Sequence, residues 1–82
     1  MPSVLLVPVD HDAETPLWRQ LADILRAQIQ SGELQAGRVM PSETTLMQEH
    51  DLARGTVRKA IDVLVDEGLV SRVQGRGTFV KK

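Results

Sequence analysis

Between positions 57 and 65 the chain places Val57, Ala60, Ile61, Leu64 and Val65 at i, i+3, i+4, i+7 and i+8. Residues so spaced fall on one side of an α-helix and make an apolar stripe that other elements must cover. Arg54, Arg58 and Lys59 stand at the start of this helix, and a second basic cluster follows its end around Gly75-Arg76-Gly77. Any fold for this chain has to bury the stripe, and in doing so it fixes the separation of two cationic groups.

The covering elements are few. With 82 residues the chain is near the lower limit for a self-sustaining core, where roughly 60–65% of the unfolded surface is buried. Trp18 and Phe79 are its only aromatics, so that core is aliphatic. The absence of cysteine excludes a disulfide framework and a thiolate metal site and fits a reducing compartment. The opening MPSVLLVPV has an apolar run too short for a membrane span, and it lacks the basic leader and small-residue cleavage site of a signal peptide, which leaves the cytoplasm as the expected location.

Thr15-Pro16 predicts a helix start, with Thr15 as cap and Pro16 in the first position, where a missing N–H has no intrahelical role. Leu17, Leu21, Ile24, Leu25, Gln28 and Ile29 follow helical spacing, and Gly32 supplies a left-handed stop. Ala36-Gly37 turns the chain and Arg38-Val39-Met40 is a short extended piece. Ser42 is the cap of a second helix of about 8–9 residues, with Glu43 in its first turn and Leu46 and Met47 as its apolar side, ended at Asp51-Leu52. The third helix starts near Arg54 and stops at Gly68. Leu69–Gln74 and Thr78–Lys82 are β-rich runs flanking the tip Gly75-Arg76-Gly77, a hairpin. Ser3–Val7 is a possible further strand, confined to an edge by Pro8, with a dimer contact as the alternative for its apolar run. The fold class is therefore mainly α with a small β-sheet, a winged helix-turn-helix over residues 15–82, preceded by an extension over residues 1–14.

Charge points to a partner. Net charge is −1, yet residues 1–51 carry three arginines against eight acids while residues 52–82 carry seven bases against three acids. A basic half binds anions locally even when the whole molecule does not. In a helix-turn-helix the second helix enters the major groove of DNA with its first turns, and here those turns hold Arg54, Gly55, Thr56 and Arg58, with Lys59 beside them. Arginine there can fork onto guanine O6 and N7, and threonine can meet a phosphate or a thymine methyl. Gly55 costs a helix about 1 kcal/mol against alanine, which makes sense where the backbone approaches another surface closely. Arg72 and Arg76 on the hairpin can reach the adjacent minor groove, whose negative potential favours arginine.

The stretches PLWRQLADILRAQIQSGELQAG, MPSETTL and RGTVRKAIDVLVDEGLVSRVQGRGTFV resemble the DNA-binding domain of the GntR family of bacterial transcription regulators, over about residues 16 to 80. PSE, TVRKA, EGLV and GRGTF occurring together at these spacings carry the resemblance. It implies a repressor-type winged helix that uses Arg54, Thr56 and Arg58 in the major groove and Gly75, Arg76 and Gly77 at a wing tip in the minor groove. Ser42 and Thr44, at the start of the preceding helix, complete the DNA-binding set. Thr44 stands where the family often has a phosphate-contacting arginine, Ala53 where it has a serine or threonine cap, and Asp51 where it has a turn glycine. Family members typically add an effector-binding, dimerising domain. No effector pocket is expected in the residues present here, which implies either a minimal regulator or a fragment, and a homodimer at least on DNA.

Other readings are weaker on the residues. Gly75-Arg76-Gly77 lies between strands, so no helix start follows to cradle a phosphate. His11 between Asp10 and Asp12 reads as a solvated loop and not a metal site, and His50 as a packing residue. Ser42-Glu43 has no histidine base, so no enzyme, cofactor or metal is expected. The alternative from another class is a winged-helix protein–protein interaction module, whose mark would be an exposed apolar patch at Leu5, Leu6 or Trp18.

Overall fold

Residues Leu17–Ser31 form helix α1 in the computed structural model, which describes residues 9–82. The possible strand at Ser3–Val7, with Leu5 and Leu6, lies outside the described residues. Leu21, Ala22 and Leu25 are buried on one side of α1, and Leu17, Ile24 and Ile29 pack around them. The start differs from the expectation at Thr15, because Pro16 takes the cap position and no side chain caps the helix. Gln20 instead holds the segment that enters the helix. Its Nε2 donates to the carbonyls of Thr15 and Asp10 at 2.8 and 3.0 Å, and its Oε1 accepts from the Asp10 amide at 2.7 Å. A long side chain one turn into the helix thus ties down the incoming backbone. Gly32 ends α1 with φ +88°, a left-handed conformation free of steric cost only for glycine.

Helix α2 spans Glu43–His50 and begins as its sequence requires, with Ser42 Oγ accepting the Thr45 amide at 3.1 Å. It ends at Asp51, whose φ of +55° is left-handed; aspartate is among the few side chains that visit this region. Asp51 and Leu52 both donate their amides to the Met47 carbonyl, which closes the helix end. After a three-residue turn, Asp51–Ala53, helix α3 runs over Arg54–Asp66. Val57, Ala60, Ile61 and Leu64 are buried, and Val65 is half-buried at the margin of the stripe. They share one core with Leu21 and Leu25 of α1 and Leu46 of α2, and α3 packs against both other helices.

Strands β1 (Val70–Val73) and β2 (Gly77–Val80) pair antiparallel, with Val70 opposite Val80 and Val73 opposite Gly77. They are shorter than the β-rich runs suggest. Leu69, Gln74, Lys81 and Lys82 fall outside, and Gly77 belongs to β2, leaving Gln74-Gly75-Arg76 as the tip closed by the Arg76 amide on the Val73 carbonyl at 2.9 Å. Gly77 has φ +114°, and a Cβ there would stand 3.3 Å from Val39 Cγ2. That close approach arises because the extended piece before α2 joins the sheet. Val39 bridges Phe79, the Val80 amide donates to the Arg38 carbonyl at 2.9 Å, and the Met40 amide donates to Thr78 at 2.7 Å. Buried Val70 and Val80 fasten the hairpin to the helical core. The result is three helices and a two-stranded antiparallel sheet, a winged helix-turn-helix. Among the described residues no helix is long and apolar enough to cross a membrane.

Candidate nucleic-acid interface

The start of α2, the side of α3 and the hairpin enclose one open cleft. Ser42, Glu43 and Thr44 line it from α2, Arg58 from α3, and Arg72, Gly75, Arg76 and Gly77 from the hairpin. Most of the candidate DNA-binding residues are therefore brought to one face. The remaining candidates lie beside it. Arg54 joins through a shared acid described below, Gly55 and Thr56 occupy the first turn of α3, and Lys59 faces α1.

The first turn of α3 follows from what the sequence omits. Ala53 offers no side-chain acceptor, so no side chain caps the helix. The leading amides of a helix have no intrahelical partner and carry the positive end of its dipole. Gly55 adds backbone exposure, since a Cβ built there meets nothing within 4 Å and its φ is not in the left-handed region. No contact within the folded chain accounts for a glycine at this helical position.

The arginines are organised by two acids. Glu43 Oε1 accepts from Arg54 NH1 at 3.1 Å, and Arg58 Nε donates to both carboxylate oxygens at 3.1 and 3.2 Å. The Arg58 side chain nonetheless remains 60% exposed. Arg72 does not extend from the hairpin tip. Its NH1 pairs with Asp62 on α3 and its NH2 donates to the Arg58 carbonyl at 3.3 Å. Among the described residues no carboxylate lies within ion-pairing distance of Arg76, which leaves it as the outward cation of the wing. Lys59 Nζ sits 4.7 Å from the centroid of the Trp18 ring, a cation–π contact that draws the ammonium toward α1 and covers the indole.

Sequence reading missed the two acids as partners. Glu43 carries the ordinary signature of a helix-start acid, and Asp62 reads as one more polar position on α3. Neither pairing is visible in local spacing, because Glu43 stands 11 and 15 positions from its arginines and Asp62 stands 10 from Arg72.

Other titratable groups lie off the cleft lining. Arg26 donates to Glu67 at 2.7 and 2.8 Å and to Asp23 at 2.6 Å. The bond to Arg26 lowers the pKa of Glu67, and the bonds to Glu67 and then Asp23 raise that of Arg26 further above its usual range. His50 is half-buried, and its carbonyl lies 3.2 Å from His11 Nε2. Burial lowers the His50 pKa against the opposing charge of Glu49, and its Nδ1 has no hydrogen-bond partner among the described residues. His11 and its neighbouring acids form no group of three or more metal-ligating side chains in the described residues.

Comparison with known proteins bears on the fold and the family. A family model described as bacterial regulatory proteins, gntR family, matches residues 17–80. The chain is 45% identical over 67 residues to the mannosyl-D-glycerate transport/metabolism system repressor MngR of Escherichia coli, covering 82% of this chain and 28% of that protein. It is 40% identical over 74 residues to the HTH-type transcriptional repressor NagR of Bacillus subtilis, covering 90% and 30% respectively. The chain thus spans about three-tenths of the length of the curated relatives it matches. Among solved structures, the AraR DNA-binding domain in complex with operator ORR3 superposes with a TM-score of 0.80 at 36% identity, covering 90% of this chain and 89% of that one.

Proposed function

The chain belongs to the gntR family of bacterial regulatory proteins, and from that membership we propose that its winged helix-turn-helix, residues 15–82, reads operator DNA as part of a cytoplasmic transcription repressor. The start of α3 enters the major groove. Arg58 and Arg54 contact base edges or phosphates, Thr56 offers its hydroxyl or methyl, and the uncapped amides beside Gly55 donate to a closely approaching phosphate. Arg76, presented by Gly75 and Gly77, enters the neighbouring minor groove. Ser42 and Thr44 contact the backbone from α2, while Lys59 adds positive potential from the margin. Arg72 has a different part: paired with Asp62, it braces the hairpin against α3. No catalysis and no cofactor are assigned to this face, in keeping with relatives that are transcription regulators.

The observation that carries this reading is the single cleft flanked by Arg58 on one side and Arg76 on the other. One such domain offers few phosphate contacts, so a homodimer on a two-part site supplies the remaining affinity. Selecting bound duplexes from a random pool tests this directly, and an enriched motif with two related halves is the expected result. Binding of the selected duplex should fall steeply with added salt, as counterions released from phosphates compete for the same charges. Affinity that is indifferent to salt would show that the basic face is not the contact.

Gly55 gives a second, independent test. Gly55→Ala should stabilise the isolated fold by about 1 kcal/mol in urea unfolding, because alanine loses less backbone freedom in a helix. The same substitution should weaken duplex binding, since the added methyl projects from the surface that approaches DNA. A variant that is more stable and binds equally well would remove the close approach from the proposal.

A further inference from the structure

An acid stands in the middle of the cationic face. Glu43 is the first residue of α2, and its side chain is 25% exposed, less than that of Arg54 or Arg58. A carboxylate near bound phosphates opposes binding on charge alone. Its contacts give it another use. Arg58 is gripped through Nε by both oxygens of Glu43, and Arg54 is held through NH1 on the same carboxylate. A guanidinium carries five N–H donors. Holding the Nε–H leaves the four on the terminal nitrogens of Arg58 without a protein partner among the described residues. Those terminal nitrogens can form the fork that fits guanine O6 and N7. The backbone of the same residue is also held, since Arg72 bridges the Arg58 carbonyl and Asp62.

We propose that Glu43 is a positioning residue that sets selectivity: it fixes the Arg58 guanidinium for base contact and keeps it from turning to the nearest phosphate. This assignment rests on the reading of α3 as the groove-facing helix. An arginine without that grip gains attraction for any duplex and loses a preferred direction. Glu43 thereby lowers affinity for arbitrary DNA while raising the contrast between the right sequence and the wrong one.

The test compares the full chain with Glu43→Gln, Glu43→Asp and Arg58→Ala variants. Each is titrated with the most enriched duplex from a random pool and with a shuffled duplex of the same composition, over a range of salt. Glu43→Gln should lower the ratio of the two affinities about tenfold, chiefly by tighter binding of the shuffled duplex. Its dependence on log salt should steepen by about one for the freed positive charge. Glu43→Asp keeps the charge but is one methylene shorter, so it should restore the salt dependence and not the ratio. These substitutions leave the buried core untouched, and far-UV circular dichroism confirms folding.

An affinity ratio unchanged by Glu43→Gln, with Arg58→Ala losing it, overturns the positioning role and leaves the DNA reading intact. If the unaltered chain and Arg58→Ala bind both duplexes alike, the DNA reading falls and this assignment falls with it.

Discussion

Leu64→Ala is expected to destabilise the fold by about 2–5 kcal/mol, read as a lower urea midpoint at unchanged slope. Leu64 has no exposed surface and lies on the stripe that α3 turns toward the core. Two terms add. Removing three carbons forfeits their transfer from water, and the space they leave lies in a core shared with side chains anchored on separate elements, which close only partly around it. The size of the domain makes the loss severe, because a chain of this length has a total stability of roughly 4–12 kcal/mol. The effect should extend to binding, since the same residues that fill the core hold α3 and the hairpin in register. A variant that kept its urea midpoint would show that α3 does not pack as described.

Arg58→Ala is expected to cost about 1–3 kcal/mol in binding of the selected duplex, measured by fluorescence anisotropy, with relaxed preference at the base position it reads. The stability of the fold should hardly change. Arg58 is largely exposed, and its pairing with Glu43 is a surface contact, of a kind worth about 0–1 kcal/mol in general. This separation of effects is diagnostic. A packing residue lowers stability first and binding as a consequence, whereas a contact residue lowers binding from an intact fold. Uniform weakening on selected and shuffled duplexes alike would reassign Arg58 to phosphate contact.

The helices were readable in the sequence because their signals are local. The i, i+3, i+4 stripe of α3, the Ser42 cap and the stop at Gly32 all depend on neighbours within a turn or two, and each appears where expected. Asp51 in place of glycine was also interpretable, since its side chain tolerates the left-handed turn. Thr15 misled because a side-chain cap must stand directly before the first helical residue, and Pro16, which has no side-chain acceptor, occupies that place. Gly77 read as a tip residue because glycine marks turns. Its place within β2 depends on Val39, which arrives from a distant part of the chain. The pairings of Glu43 and Asp62 were hidden for the same reason, because they exist only once helices and hairpin have docked. Local periodicity thus located the cationic residues, and tertiary docking decided which of them turn outward.

The bridge between Val39 and Phe79 has a mechanical consequence. Only Met40 and Pro41 separate Val39 from the Ser42 cap of α2, so the wing is laced directly to the start of the helix-turn-helix. Wing and reading helix then act as the two jaws of a calliper whose gap is set by covalent chain and sheet hydrogen bonds. A rigid gauge of this kind responds to the shape of what it spans: a duplex whose neighbouring grooves are too wide or too far apart seats one jaw and leaves the other hanging. On the proposed reading, discrimination therefore extends to base pairs that no side chain touches, through their effect on groove width and curvature.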